Sequence, residues 1–144
     1  MTRMFLNGTA MAGQKDHGSH SGSTFLGPAR TASRYRFIVV RDEFPGLLPV
    51  AAGGRVIEGE LYEMPAAVLQ DELLPAEPAE LELGEIELID GERVHAMVLV
   101  PSRIAAGDKV VDISEFGGFR SYQRFLAANV RIGETLRAEE PGRS

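Results

Sequence analysis

Cysteine is absent from the 144 residues, which removes disulfides, thiolate nucleophiles and zinc–cysteine centres from the available chemistry. Also missing is any run of about 18 apolar residues, or an N-terminal apolar stretch of signal-peptide length. The expectation is therefore an intracellular, cytoplasmic protein with no membrane partner. Basic residues are in deficit, 15 against 21 acidic, for a net charge of -6. A chain so charged lacks the cationic face that releases counterions from nucleic acid, so no nucleic-acid partner is expected either. The stretch from Glu58 to Glu92 has twelve acidic residues and no Lys or Arg, whereas residues 1–57 hold seven basic and three acidic ones. Two readings stay open for that stretch: a solvated acidic face, or a surface that binds cations or docks a partner.

Hydrophobic residues make up 44% of the chain, enough for one continuous core. The reading is a single domain over 1–130 with a frayed tail over 131–144. Short apolar or alternating runs predict strands over Arg3–Asn7, Thr24–Arg30, Tyr35–Val40 and Arg55–Tyr62. Pro45 and Pro49 predict an interrupted ladder at 44–49, because proline has no amide hydrogen to donate. Gly59, inside a strand, predicts a close approach by another backbone or a ligand. Pro65 opens a short helix over Ala66–Leu74, which Pro75 is expected to end. Alternation on both sides of Asp90-Gly91 predicts a β-hairpin. Phe119, Tyr122, Phe125 and Leu126 share one face of a C-terminal helix. Several strands, few helices and no strand–helix–strand rhythm give an α+β fold: a small mixed curved sheet or barrel with flanking helices.

Five stretches carry a family resemblance: Phe5–Gly13, Phe25–Ala32, Tyr35-Arg36, Phe44–Leu47 and Val56–Glu63. In order and spacing they resemble gamma-glutamyl cyclotransferase-like proteins. Leu81–Leu88, Asp90-Gly91, Val94–Val100 and Asp112–Tyr122, with its Gly-Gly-Phe-Arg-Ser-Tyr, look like the C-terminal domain of allophanate hydrolases. The resemblance implies a protein acting on a small amide, gamma-glutamyl or urea-derived carboxylate compound, with no cofactor. Its alternative is a non-catalytic ligand-binding or accessory module that docks to an amidase.

The same resemblance assigns the site. The first loop, Asn7, Gly8, Thr9, Ala10 and Met11, is expected to offer backbone amides to a small anionic molecule, since Gly8 lets the backbone come close. Turn-making by Gly8 and Gly13 is the alternative reading, and Gln14 stands where a nucleotide-binding loop would need Lys. Cyclotransferases of this type use a glutamate as base, and an ungapped match brings Glu77 to that place, with Glu80 and Glu82 as neighbours. The sequence around Glu77 lacks the usual Leu-Asp-x-x-Glu-Gly frame, Asn7 replaces a Tyr, and Ala10 replaces a Leu. A base of this kind also needs a pKa raised toward neutrality by burial. Glu60 either faces inward, needing a partner such as Arg36 or Tyr122, or is ordinary surface. Tyr122 is either a ligand contact or helix core. His17 and His20 sit in a Gly/Ser loop without metal-site context, so no metal is expected. His95, on a strand, is expected to be exposed opposite a cross-strand partner.

Overall fold

The computed structural model of the protein describes residues 1–8, 11, 14 and 22–138, with side chains as far as 128. Alternating and β-branched runs become the strands β1 (Thr2–Leu6), β2 (Thr24–Arg30), β3 (Tyr35–Val40), β4 (Phe44–Pro49), β5 (Glu58–Met64), β6 (Leu81–Glu87), β7 (Arg93–Leu99) and β8 (Val110–Asp112). They form one sheet in the order β2-β5-β1-β7-β4-β3-β8, with β6 on β7. The curvature follows from β7. One of its edges pairs with β6 from Leu81↔Leu99 to Glu87↔Arg93. Its other edge takes β1 in parallel at Met4↔His95 and Phe5↔Ala96, then β4 at Leu47↔Val98. A strand that passes from one neighbour to another along its length curls the sheet, and the fold is the mixed α+β half-barrel that the sequence implied. Phe5, Phe37, Leu47, Met64 and Ile86 are buried in the core that it wraps.

Residues 44–49 correct one expectation, because they form a regular strand despite two prolines. β4 pairs with β3 from Val40↔Phe44 to Tyr35↔Pro49, and the next residue, Val50, donates its amide back to Arg34 at 3.0 Å. Amides alternate in direction along a strand, so those of residues 45, 47 and 49 face away from β3. On that far edge only Leu47 meets β7. Both prolines thus stand where no ladder donor is required. The helix after Pro65 is the second correction. It continues past Pro75 as α1 (Ala66–Val68), a π turn (Leu69–Leu73) and α2 (Leu74–Ala76). The wider turn ahead of Pro75 relieves the clash that a proline ring makes with the carbonyl four residues earlier. β5 begins three residues later than expected, with Arg55 reduced to an isolated bridge to Tyr35.

The last helix, α3 (Phe119–Ala138), extends beyond the predicted Leu126. Its backbone is helical past the point where the tail was expected to fray, and 139–144 lie outside the described residues. The hairpin forms as read, and His95 is exposed opposite Glu85. The acidic stretch is met from outside itself by arginines: Arg34–Glu87 at 3.0 Å, Arg93–Glu85 at 2.6 Å and Arg3–Glu92 at 2.5 Å. Among the described residues no cluster of three or more His, Asp or Glu could hold a metal ion. No helix among them is long and apolar enough to cross a membrane.

Candidate functional site

Two hollows lie around the ends of β1 and β5. The larger, of about 700 Å³, is bordered by β2, β5, the β6–β7 turn and the first turns of α3, and Met11 closes one side. Within it Glu60 is only 7% exposed. Its position follows from strand alternation: Gly59 faces β1, and a Cβ there would lie 2.4 Å from the Leu6 carbonyl oxygen and 2.5 Å from the Phe5 ring. That is the close backbone approach predicted for Gly59. It packs β5 tightly on β1 and fixes the height at which the next side chain, Glu60, enters the cavity.

A carboxylate removed from water needs compensating donors. Glu60 has them in the Tyr62 hydroxyl, which donates to Oε1 at 2.9 Å, and in Arg120, whose Nη2 donates to Oε2 at 3.1 Å. Arg120 Nη1 also reaches the Met11 sulfur at 3.6 Å. The arginine side chain remains 41% exposed, against 9% for that of Glu60. One end of the pair is therefore locked in the wall while the other meets the cavity, an arrangement that can receive an anionic ligand. Nearby, Gln14 and Gln123 exchange two amide hydrogen bonds of 3.0 Å and tie the first loop to α3.

Neither expected partner of Glu60 serves it. Arg36 lies on β3, separated from β5 by β1, β7 and β4, and bonds Asp112 and the Gly53 carbonyl, each at 2.9 Å. Tyr122 is 7% exposed with its ring edge-on to Phe116 at 5.4 Å, and it borders neither hollow. Two steps along a helix turn a side chain by about 200°. Arg120 and Tyr122 consequently diverge, one to the cavity and the other to the core. The signal for Arg120 was its place directly after Gly117-Gly118-Phe119, where a helix begins against the strand that carries Glu60.

The smaller hollow, of about 20 Å³, joins Asn7 and Gly8 to Glu77, with Pro45, Leu81 and Met97 around them. That volume holds about one water. Gly8 is again a site of close approach, since a Cβ would stand 2.8 Å from Cγ of Pro45, and its carbonyl accepts the Met11 amide at 3.1 Å. The first loop therefore leads from one hollow to the other. Asn7 and Gly8 lie beside Glu77 and Met11 lies beside Glu60, while Thr9, Ala10, Gly13, His17 and His20 lie outside the described residues. Glu80 is held by Arg41, whose hydrogen bond pushes its carboxyl below the ordinary range in spite of burial. A general base needs the opposite shift. Glu82 is exposed and pairs with Arg103 at 3.4 Å.

Comparison with known proteins bears on the family and the fold. Residues 2–124 match the family described as allophanate hydrolase C-terminal domain. The chain is 28% identical over 109 residues to a urea amidolyase of Saccharomyces cerevisiae, across 72% of this chain and 6% of that protein. It is 30% identical over 76 residues to a gamma-glutamylaminecyclotransferase of Homo sapiens, 49% of this chain and 50% of that one. It therefore spans half or less of the length of either curated relative. The crystal structure of a uropathogenic E. coli-specific protein superposes with a TM-score of 0.77 at 31% identity, covering 85% of this chain and 94% of that one.

Proposed function

Because the chain belongs to the allophanate hydrolase C-terminal domain family, we propose that it acts on a small amide or urea-derived carboxylate compound in the cavity between β5 and α3. The observation that carries this reading is the Glu60–Arg120 pair, buried at its carboxylate and open to the cavity at its guanidinium. Arg120 receives the carboxylate of the substrate, a planar acceptor suited to a planar donor. Glu60, bonded to Tyr62, holds the guanidinium in place and accepts an N–H of the amide or urea group. The names of the relatives, a urea amidolyase and a gamma-glutamylaminecyclotransferase, point to the same compound class.

Titration calorimetry with malonamate, which carries one amide and one carboxylate, tests the reading. Micromolar to millimolar binding is expected, weakened by about tenfold or more in Arg120→Met, as suits the loss of one charged hydrogen bond. Binding that Arg120→Met leaves unchanged would overturn it, and no binding at all would favour an accessory module that docks to an amidase.

A second reading follows from Glu77 lying beside Asn7 and Gly8, and it requires the hollow of about 20 Å³ there to widen on binding, since that space holds about one water. In that reading the α-amine of a gamma-glutamyl amine attacks its own side-chain carbonyl, the C–N bond to the departing amine breaks, and Glu77 carries the proton from the attacking to the leaving nitrogen. Its test is release of 5-oxoproline from a gamma-glutamyl amine, abolished in Glu77→Gln.

A further inference from the structure

The larger cavity is out of proportion to a urea-derived acid. Its volume of about 700 Å³ falls in the range of roughly 300–1,000 Å³ that accommodates drug-sized ligands. The strand register shows how that space is laid out. Across β2 and β5, Pro28 stands beside Glu60, Ala29 beside Gly59 and Arg30 beside Glu58. The Arg30 carbonyl accepts the Ile89 amide at 2.9 Å, and Leu88 bridges Thr31. The floor therefore runs from the Glu60–Arg120 pair to Leu88 and Ile89, a distance that includes about 7 Å along β5 alone.

Chemistry changes along that floor. Among the described residues, the charged ones that border the cavity beyond Glu60 and Arg120 are Arg30, Glu58, Asp90 and Arg124, and all four are exposed, so they form its rim. Inside the rim, among the described residues, the lining includes the apolar side chains of Met11, Ala29, Leu88 and Phe119, with Ser121 as a polar neighbour of Arg120. At its far end Ile89 leaves 61% of its surface in water, although the Ile89 and Arg30 backbones are bonded and the wall is fixed. Apolar surface held open beside a cavity is stabilised when a ligand covers it.

We propose that the substrate carries an apolar extension beyond its carboxylate-and-amide head, seated along Ala29, Leu88, Ile89 and Phe119. This inference rests on the reading of Glu60 and Arg120 as the head-group site, and it makes Ile89 a specificity-determining residue. The ligand class is an N-substituted amide or ureido acid with a hydrocarbon tail.

Calorimetry with N-acetyl-, N-butyryl-, N-hexanoyl- and N-octanoylglycine tests it, since these share one head and differ only in tail length. Affinity is expected to rise by about threefold or more per methylene wherever the tail meets the wall. Ile89→Asp should flatten that slope, read as the ratio of the longest to the shortest acid. Equal affinities across the series would overturn the apolar extension and leave the head-group reading intact. If none of the acids binds, both fail. Octanoate binding as tightly as N-octanoylglycine would overturn the amide part of the ligand class.

Discussion

Arg120 Nη2 lies 3.1 Å from Glu60 Oε2, joining the first turn of α3 to the middle of β5 across 60 residues of sequence. The other carboxylate oxygen takes the Tyr62 hydroxyl at 2.9 Å. Replacing Glu60 by Gln keeps an oxygen for Tyr62 but turns an NH₂ donor toward the guanidinium. Glu60→Gln should therefore destabilise the protein by about 1–3 kcal/mol. Urea unfolding should show a lower midpoint with an unchanged slope, because the surface exposed on unfolding stays the same. An unaltered midpoint would show that the pair adds nothing to the fold.

A methyl group added at Gly59 would meet the Leu6 carbonyl oxygen at 2.4 Å, a backbone atom held in the β1–β5 ladder. At Gly8 the corresponding clash is with the Pro45 side chain, at 2.8 Å. A backbone in a sheet yields less than a ring at its edge. Gly59→Ala is expected to cost about 3 kcal/mol or more, and Gly8→Ala about 1–3 kcal/mol, on the scale of overpacked cores. Thermal unfolding of the two variants side by side checks the order, which is the firmer part of the prediction.

Acid should loosen the loops around Arg41. This residue sits in the β3–β4 turn, where Arg41 and Asp42 have φ of 52° and 58° and Glu43 donates its amide to the Val40 carbonyl at 2.9 Å. Its guanidinium bonds Glu80 and, at 2.9 Å, Asp108. The Arg41 hydrogen bond depresses the Glu80 pKa in the folded state. A depressed carboxyl contributes stability that is fully present above its ordinary value near 4.5 and is lost as pH falls through the folded value. Urea midpoints measured from pH 6 down to pH 3 should fall less in Arg41→Met than in the native protein. Parallel pH profiles would remove Glu80 from the account.

Local physics explains what could be read early. The hairpin around Asp90-Gly91 was legible because alternation and turn chemistry both act within a few residues. Gly59 was legible as a close approach because a strand gains nothing else from a missing side chain. The prolines of β4 misled for the same reason in reverse: a missing donor matters only if a neighbour wants it, and the neighbour of that edge comes from β7, some 50 residues away. Pro75 misled likewise, since the π turn that accommodates it is set by Leu69 and Leu73 packing into the core.

The sequence by itself determined the fold class, most of the strands with the hairpin, and the family through its ordered motifs, all of which rest on short-range pattern. It also placed Glu60 in a strand and Arg120 at a helix start. Only the tertiary structure decided that these two meet, that Arg36 and Tyr122 serve elsewhere, and that Glu77 and Glu60 line different hollows. Those outcomes depend on which strands become neighbours and on the phase of α3 against β5, quantities fixed by packing over the whole chain and carried by no local stretch of it.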